Sequence, residues 1–323
     1  MKKVILVLTI CMALLGSNLM ASDSPLIHVT FLPQWIPQAQ FAGYMMAFEK
    51  GFYKDAGLNV EFLVGGPTNP PLEALESGQA TFCTSWVSTA VQKRSSGTKL
   101  VNLAQIIQRS ALMLIARKSS GINSLEDLNG RRVGLWQGDF RIQPLALFKL
   151  HHLNVIEIPM YSSINLFLKG GVDAISAMWY NEYHTILNSG FDPKELTTFF
   201  FSDYGLNFPE DGIYCLEKTL NENPKVCESF VQASLKGWVY ALERQDETLD
   251  VVMKYTHAAH TGTNRAHQMW MLARMKDLIF PDGDRAVLGK LDQKQYLLVT
   301  DTLRSLGFVE DHVRFEDFYR GTK

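Results

Sequence analysis

Four of the six tryptophans of this chain follow short apolar runs, and each has a polar residue within two positions. They are Trp35, Trp86, Trp136 and Trp179, near Gln34, Ser85, Gln137 and Asn181 in that order. Indole rings stack on flat molecules or hold cations, while amide and hydroxyl groups fix orientation by hydrogen bonds. The pattern predicts a site that holds a small flat or cationic ligand. We expect two or three of these rings to line the site and the others to pack in the core.

The segment 31–67, FLPQWIPQAQFAGYMMAFEKGFYKDAGLNVEFLVGGP, predicts a strand, a loop, an amphipathic helix, a second strand and a Gly-rich loop. Gln34, Trp35 and Gln38 follow the first strand, at the edge where open α/β sheets bind small molecules. Gly65 and Gly66 allow a backbone to approach a ligand closely before a helix N-terminus, although a tight turn explains them equally well. We place all five residues in the predicted binding site.

A second polar-aromatic string, Trp179-Tyr180-Asn181-Glu182-Tyr183, stands at a predicted helix start. Glu182 there is expected to accept a hydrogen bond from a ligand amine or ring N–H; the alternative is a helix cap on a solvated first turn. The candidate site also takes residues from three further predicted strand ends and loops. These additional candidates are Ser85, Trp86, Trp136, Phe140, Tyr180, Asn181 and Tyr204.

Motifs of catalysis are missing from the sequence. It has no Gly-x-Ser-x-Gly elbow, no Gly-x-Gly-x-x-Gly after a strand and no Gly-Lys-Ser/Thr loop. His257, His260 and His267 lack a cysteine or carboxylate at zinc-site spacing, which predicts surface histidines. We therefore expect no catalytic residue, no metal and no cofactor, and a ligand that is released chemically unchanged.

The N-terminal residues have the pattern of a secretory signal peptide: Met1-Lys2-Lys3, an apolar run over 4–15, then small and polar residues. We predict cleavage after Ala21 and a periplasmic mature protein. Loss of two lysines lowers Lys plus Arg from 31 to 29, against 33 acidic residues. No basic cluster suits a phosphate backbone, so a nucleic acid is not an expected partner.

Alternating strand and helix patterns predict an α/β fold, and roughly 300 mature residues exceed one compact core. We expect a signal peptide over 1–21, lobe 1 over 22–118 plus 206–323, and lobe 2 over 119–205. The final helices have no sheet of their own to cover, so they should return to lobe 1. Two chain crossings, near 118 and 204, would then form a two-strand hinge.

Three cysteines remain after the predicted cleavage: Cys83, Cys215 and Cys227. They are typical of small buried apolar residues. A Cys215–Cys227 disulfide stays open, because spacing alone does not decide a pairing.

Four ordered motifs carry a family resemblance: WIPQAQFAGYMMAFEKGFYKDAGLNVEFLVGGP, QIIQRSALMLIARKSSGINSLEDLNGRRVGLW, VDAISAMWYNEY and DYGLNFPEDGIYC. Over about residues 26–310 the chain resembles the NMT1/THI5-like substrate-binding proteins of ABC importers, whose relatives bind thiamine-pyrimidine precursors, sulfonates and nitrate. The resemblance implies a type II periplasmic-binding-protein fold that closes two lobes on one ligand. It also implies that Trp35 stacks on the ligand and that Glu182 matches an acid of the family.

The resemblance leaves two other functions open. One is a ligand-sensing module for a membrane sensor kinase or cyclase. The other is the yeast-type pyrimidine synthase, which consumes pyridoxal phosphate and its own histidine and carries a CCCFC iron-binding string. The corresponding residues 198–202, TFFFS, contain no cysteine, which disfavours the synthase. The expected partners are a small-molecule ligand and an ABC permease or a sensor, and the protein is expected to be a monomer.

Overall fold

The computed structural model describes residues 25–310 and 313–321, so the predicted signal peptide lies outside the described residues. Within them, two five-stranded sheets form, in the orders β2-β1-β3-β10-β4 and β7-β6-β8-β5-β9. The strands are β1 (Ile27–Leu32), β2 (Leu58–Phe62), β3 (Phe82–Trp86), β4 (Leu100–Gln105), β5 (Leu112–Arg117), β6 (Arg132–Trp136), β7 (Ile156–Met160), β8 (Ala174–Met178), β9 (Leu196–Phe200) and β10 (Asp211–Leu216). We define lobe 1 by the first sheet and lobe 2 by the second.

Helices cover both sheets. They are α1 (Ala42–Glu49), α2 (Phe52–Asp55), α3 (Pro71–Glu76), α4 (Val87–Ser95), α5 (Ile142–Leu150), α6 (Asn165–Leu168), α7 (Glu182–Asn188), α8 (Glu217–Glu222), α9 (Pro224–Glu243), α10 (Gln245–Ala258), α11 (Arg265–Ile279), α12 (Gln293–Ser305) and α13 (Phe315–Phe318). Within the described ranges, none of them has the length and apolar character that crossing a bilayer requires.

Both sheets are mixed. In lobe 1, β1 pairs parallel with β2 and β3, and β10 runs antiparallel between β3 and β4. In lobe 2, β6 pairs parallel with β7 and β8, while β5 runs antiparallel between β8 and β9. The α/β prediction is confirmed. Since parallel strands of one sheet end at the same edge, each lobe presents its strand ends together.

The predicted placement of the strand over 111–117 in lobe 1 is wrong. This strand, β5, is hydrogen-bonded on both sides within the second sheet, and its apolar residues from Leu112 to Ala116 are fully buried there. A strand with two partners must belong to the sheet that supplies them. The first crossing between the lobes therefore lies over residues 106–111, before β5 rather than after it.

The two crossing segments are hydrogen-bonded to each other. The amides of Ile106 and Ile107 both donate to the Asp211 carbonyl, at 3.1 Å each, and the Glu210 amide donates to the Ile107 carbonyl at 3.1 Å. The second crossing covers residues 201–210, between β9 and β10. Two chain segments therefore connect the lobes side by side, which is the form of a hinge.

Helix α9 holds α1 in place through a close glycine contact. A Cβ on Gly43 would lie 2.2 Å from the Trp238 ring, and one on Gly237 would lie 2.2 Å from the Gly43 carbonyl oxygen. Phe230 of α9 also stacks on Phe82 of β3, with ring centroids 4.2 Å apart. The late helix α9 thus fixes α1, and α1 fixes the loop that leads into it from β1.

The three predicted buried cysteines, Cys83, Cys215 and Cys227, are buried free thiols in the structure. Burial raises the pKa of Cys83 well above its usual value. Such a thiol is unreactive and serves as a small apolar residue.

Candidate functional site

A cavity of about 950 Å³ lies between the two lobes, where strand ends from both sheets meet. All of the predicted site residues except Gly65 and Tyr204 line it. They are Gln34, Trp35, Gln38, Gly66, Ser85, Trp86, Trp136, Phe140, Tyr180, Asn181 and Glu182. Its volume is at the upper end of the range for small-molecule sites, roughly 300–1,000 Å³.

Aromatic rings from both lobes meet across this cavity. Phe140 of lobe 2 packs edge-to-face on Trp86 of lobe 1, with ring centroids 4.7 Å apart, and on Trp136 at 5.6 Å. The Trp136 indole N–H donates to the Tyr161 carbonyl at 3.0 Å, which fixes the orientation of that ring. These rings form a rigid aromatic wall on which a flat ligand can stack.

Two predicted site residues have other roles. A Cβ on Gly65 would lie 2.0 Å from the Pro33 carbonyl oxygen and 2.4 Å from that of Trp35, so this glycine allows two loops to touch behind the cavity. Tyr204 packs against His151, with ring centroids 5.6 Å apart, away from the cavity lining.

The fourth tryptophan of the sequence pattern, Trp179, also lies outside the cavity lining. The Arg274 guanidinium lies over its ring, 4.6 Å from the centroid, and Phe200 contacts the ring edge-to-face at 5.7 Å. Three of the four indoles therefore face the cavity and one packs between elements.

Glu182, a half-buried residue, brings its carboxylate to the lobe 2 side of the cavity. One carboxylate oxygen, Oε2, accepts the Met178 amide at 2.9 Å, and the other accepts the Asn181 Nδ2 amide at 2.8 Å. Burial raises the pKa of Glu182 to about 7, against the lowering effect of hydrogen bonds from the Met178 and Glu182 backbone amides. No lysine, arginine or histidine within the described ranges forms an ion pair with the Glu182 carboxylate. A positively charged or N–H donor group of a ligand can therefore bind to it.

Asn181 connects this carboxylate to the other lobe. Its Oδ1 lies 2.9 Å from His267 Nε2, on helix α11, whose Gln268 accepts the Ala39 amide of lobe 1 at 2.6 Å. His267 Nδ1 in turn lies 2.9 Å from His184 Nδ1. The prediction of a surface histidine at 267 is therefore wrong: the ring lies between the lobes, and burial lowers its pKa.

Behind the lobe 1 wall lies a buried carboxylate that the sequence analysis missed. Asp211, at the start of β10, accepts hydrogen bonds from the side-chain amides of Gln34 and Gln40. Gln38 donates its own amide to Gln40 Oε1 at 2.6 Å. Burial raises the pKa of Asp211 to about 7. The signal available in the sequence was Glu210-Asp211 directly before an apolar strand, which reads equally well as a polar loop.

Few cations face the cavity. Lys93 is the one lysine among its lining residues, and its ammonium group pairs with Glu76 at 2.7 Å and with Glu73 at 3.3 Å. The other charged lining residues are the acids Glu73, Asp139 and Glu182. The cavity is therefore net acidic and suits a neutral or cationic donor better than an anion.

Two α/β lobes, a two-segment hinge and a cavity between the strand ends define the architecture of a periplasmic binding protein. The periplasmic aliphatic sulphonate-binding protein SsuA from Escherichia coli shares this fold, with a TM-score of 0.72 at 14% identity over 93% of this chain and 94% of that chain. The family model described as NMT1/THI5 like matches residues 38–248, and the chain belongs to that family.

Similar proteins include binders and enzymes. The chain is 25% identical to the formylaminopyrimidine-binding protein of Halalkalibacterium halodurans, over 73% of each chain. It is also 25% identical to the riboflavin-binding protein RibY of Chloroflexus aurantiacus, over 73% of this chain and 68% of that protein. Identity is 23% to the 4-amino-5-hydroxymethyl-2-methylpyrimidine phosphate synthase of Legionella pneumophila, over 72% of this chain and 75% of the synthase.

Proposed function

We propose that this protein is an extracytoplasmic solute-binding protein that captures a flat nitrogen heterocycle, a thiamine-related pyrimidine, and delivers it to an ABC importer. The observation that carries the proposal is the Glu182 carboxylate, which forms no ion pair with a described residue and lies in an aromatic cavity between two lobes. A pyrimidine can stack on the indole rings while its amino or ring N–H group donates to this carboxylate.

The charges of the cavity support a donor ligand over a sulfonate or nitrate. An anion bound in a partly dehydrated site needs positive charge or several N–H donors that are not already used. Lys93 is already shared by two glutamates, and Glu182 and Asp139 would repel an anion. This protein therefore shares its fold with a sulphonate-binding protein, while its own cavity favours a neutral or cationic ligand over an anion.

A binding role also fits the residues better than the synthase role. The yeast-type synthase consumes one of its own histidines, and no histidine is among the residues described as lining this cavity. The position of the cysteine-rich string is occupied by TFFFS, over 198–202, partly within β9 of lobe 2. A binder returns its ligand unchanged, so incubation and mass spectrometry of the ligand separate the two roles.

The size of the cavity supports a second ligand within the same class. A volume of about 950 Å³ exceeds what a single pyrimidine ring fills, and one relative is a riboflavin-binding protein. The isoalloxazine ring of riboflavin contains a pyrimidine-like edge and is also flat. Riboflavin therefore belongs in the ligand panel as the larger candidate.

Delivery requires that the ligand changes the shape of the protein. Contacts to both lobes, on Trp86 in lobe 1 and Glu182 in lobe 2, exist together when the lobes are closed. A ligand that makes both contacts shifts the hinge equilibrium toward closure. The closed form is then the one that a permease recognises, and a membrane sensor is the alternative receiver.

Isothermal titration of the purified protein tests the proposal with formylaminopyrimidine, 4-amino-5-hydroxymethyl-2-methylpyrimidine, riboflavin, ethanesulfonate and nitrate. We expect a heterocycle to bind and the two anions not to bind. Trp35→Ala should weaken binding, since its ring borders the cavity, whereas the matched Trp179→Ala should not. Tight binding of an anion, or equal effects of the two tryptophan variants, would refute the site.

A further inference from the structure

The buried Asp211 has no cation beside it within the described ranges, yet it sits next to the cavity. It is 2% exposed, and its backbone pairs with Trp86 of β3, one of the rings of the cavity wall. Its carboxylate accepts the Nε2 amide of Gln34 through Oδ1 and that of Gln40 through Oδ2, the latter at 2.8 Å. Both glutamines are cavity-lining residues.

An ionised carboxylate only accepts hydrogen bonds, and this decides how its partners are turned. Each glutamine must point its NH₂ group at Asp211 and its carbonyl oxygen elsewhere. The side-chain oxygen of Gln40 accepts a hydrogen bond from the Nε2 amide of Gln38 at 2.6 Å. Gln38 therefore also points its NH₂ group into this network and its own oxygen away from it.

Two carbonyl oxygens remain at the end of this network. Oε1 of Gln34 and Oε1 of Gln38 accept no hydrogen bond from any described residue, and both side chains line the cavity. Through these two side chains, the lobe 1 wall offers hydrogen-bond acceptors to a ligand. Together with Glu182 on the opposite wall, they surround the cavity with groups that require N–H or O–H partners.

We propose that Asp211 is a positioning residue that turns the cavity glutamines so that their oxygens face the ligand, and that it thereby selects ligands rich in hydrogen-bond donors. This inference rests on the proposed function for the ligand class, but the orientation of the amides does not depend on it. The side chain in Asp211→Asn would have one acceptor and one donor group. One glutamine would then have to turn its oxygen toward residue 211 and its NH₂ group into the cavity.

The first test needs no ligand. In NMR spectra of the wild-type protein at pH 8, one Nε2 proton each of Gln34 and Gln40 should resonate downfield and exchange slowly, unlike those of the exposed Gln79. Asp211→Asn should shift both sets of resonances and speed exchange. If the side-chain amide protons of Gln34 and Gln40 in the wild type have the chemical shifts and exchange rates of those of Gln79, the inference is wrong. This result needs no variant protein.

The second test measures specificity. The probes are 4-amino-5-hydroxymethyl-2-methylpyrimidine and its 4-methoxy analogue, which accepts but does not donate at that position. The wild type should prefer the amino compound, and Asp211→Asn should lower that preference about three- to tenfold, the equivalent of one neutral hydrogen bond. The ratio of the two affinities is used because a change in the hinge equilibrium scales both equally and cancels.

Glu210→Gln is the matched control for this experiment. Glu210 is the adjacent buried acid, but its carboxylate accepts from Ala111 and Ser110 of the hinge and not from the glutamines. It should therefore keep the amino-to-methoxy ratio of the wild type. An unchanged ratio in Asp211→Asn, or an equal change in both variants, would overturn the inference. Failure of the wild type to bind either pyrimidine would refute the proposed function, while the amide resonances still decide the orientation.

Discussion

Replacing Glu182 by glutamine should weaken ligand binding strongly, and the structure shows why. Oε2 of Glu182 accepts the Met178 amide and Oε1 accepts the Asn181 amide, so the carboxylate is held rigidly at the cavity. Glutamine keeps one acceptor but sets its NH₂ group against the NH₂ group of Asn181. Turning Asn181 over would relieve this clash, but it would set the NH₂ group of Asn181, in place of its oxygen, against His267 Nε2.

The size of the effect follows from the kind of hydrogen bond that is lost. A hydrogen bond to a charged group contributes about 1.5–3 kcal/mol when water is excluded, which corresponds to about a 10- to 150-fold loss of affinity. Because burial raises the pKa of Glu182 to about 7, the full effect appears at pH 8, where most of the carboxyl groups are ionised. A ligand that donates to the ionised form should bind less tightly as the pH falls from 8 to 6.

Titration calorimetry at pH 8 measures this loss, with Asp139→Asn as the control. Asp139 also lines the cavity and accepts the Gln92 amide at 3.0 Å, so its replacement also removes one acidic group from the same space. We expect a much smaller loss for it. Binding of Glu182→Gln within about threefold of the wild type, or equal losses in both variants, would refute the assignment.

Two further outcomes follow from buried groups outside the ligand contacts. Burial raises the pKa of Glu210 from 4.5 to about 8, so its stabilising contribution is fully present below pH 4.5 and is lost as the pH rises through 8. The melting temperature of the ligand-free protein should therefore fall between pH 6 and 9, and less steeply in Glu210→Gln; an identical slope in scanning calorimetry would contradict this. His267→Ala removes the contacts to Asn181 and His184, so small-angle scattering should show a more open protein, whereas the exposed His257→Ala should scatter like the wild type.

Strand ends could be predicted from the sequence because each follows a short apolar run that stops at a polar residue. β1 ends at Leu32 and β6 ends at Trp136, and Gln34 and Trp136 come to the cavity because of where those strands end. Helix α4 was missed: its sequence VSTAVQKRS contains three β-branched residues and two serines, which have low helix propensity. Its position against β3 and α12 compensates for this.

The lobe boundary could not be predicted, since an apolar run does not reveal which sheet it joins. β5 follows the strands of lobe 1 in sequence, and its pairing with β8 and β9 depends on residues 58 to 87 positions later. For the same reason the role of Asp211 could not be predicted, since its hydrogen-bond partners Gln34 and Gln40 precede it by 177 and 171 residues. Periodicity reports which face of an element is buried, and it carries no information on what covers that face.

The direct contacts between the lobes also affect how much free energy a ligand must supply to close the protein. Gln92 of lobe 1 donates to Asp139 of lobe 2, and His267 of helix α11 contacts Asn181 of lobe 2. Rotation about the hinge breaks both, so each contact already favours closure before a ligand binds. A ligand that contacts both walls adds to this preference for the closed form. Because the direct contacts between the lobes already favour closure, such a ligand can complete the shift with a smaller difference between its affinities for the closed and the open form. In a protein whose lobes are joined only through the ligand, that difference would have to be larger.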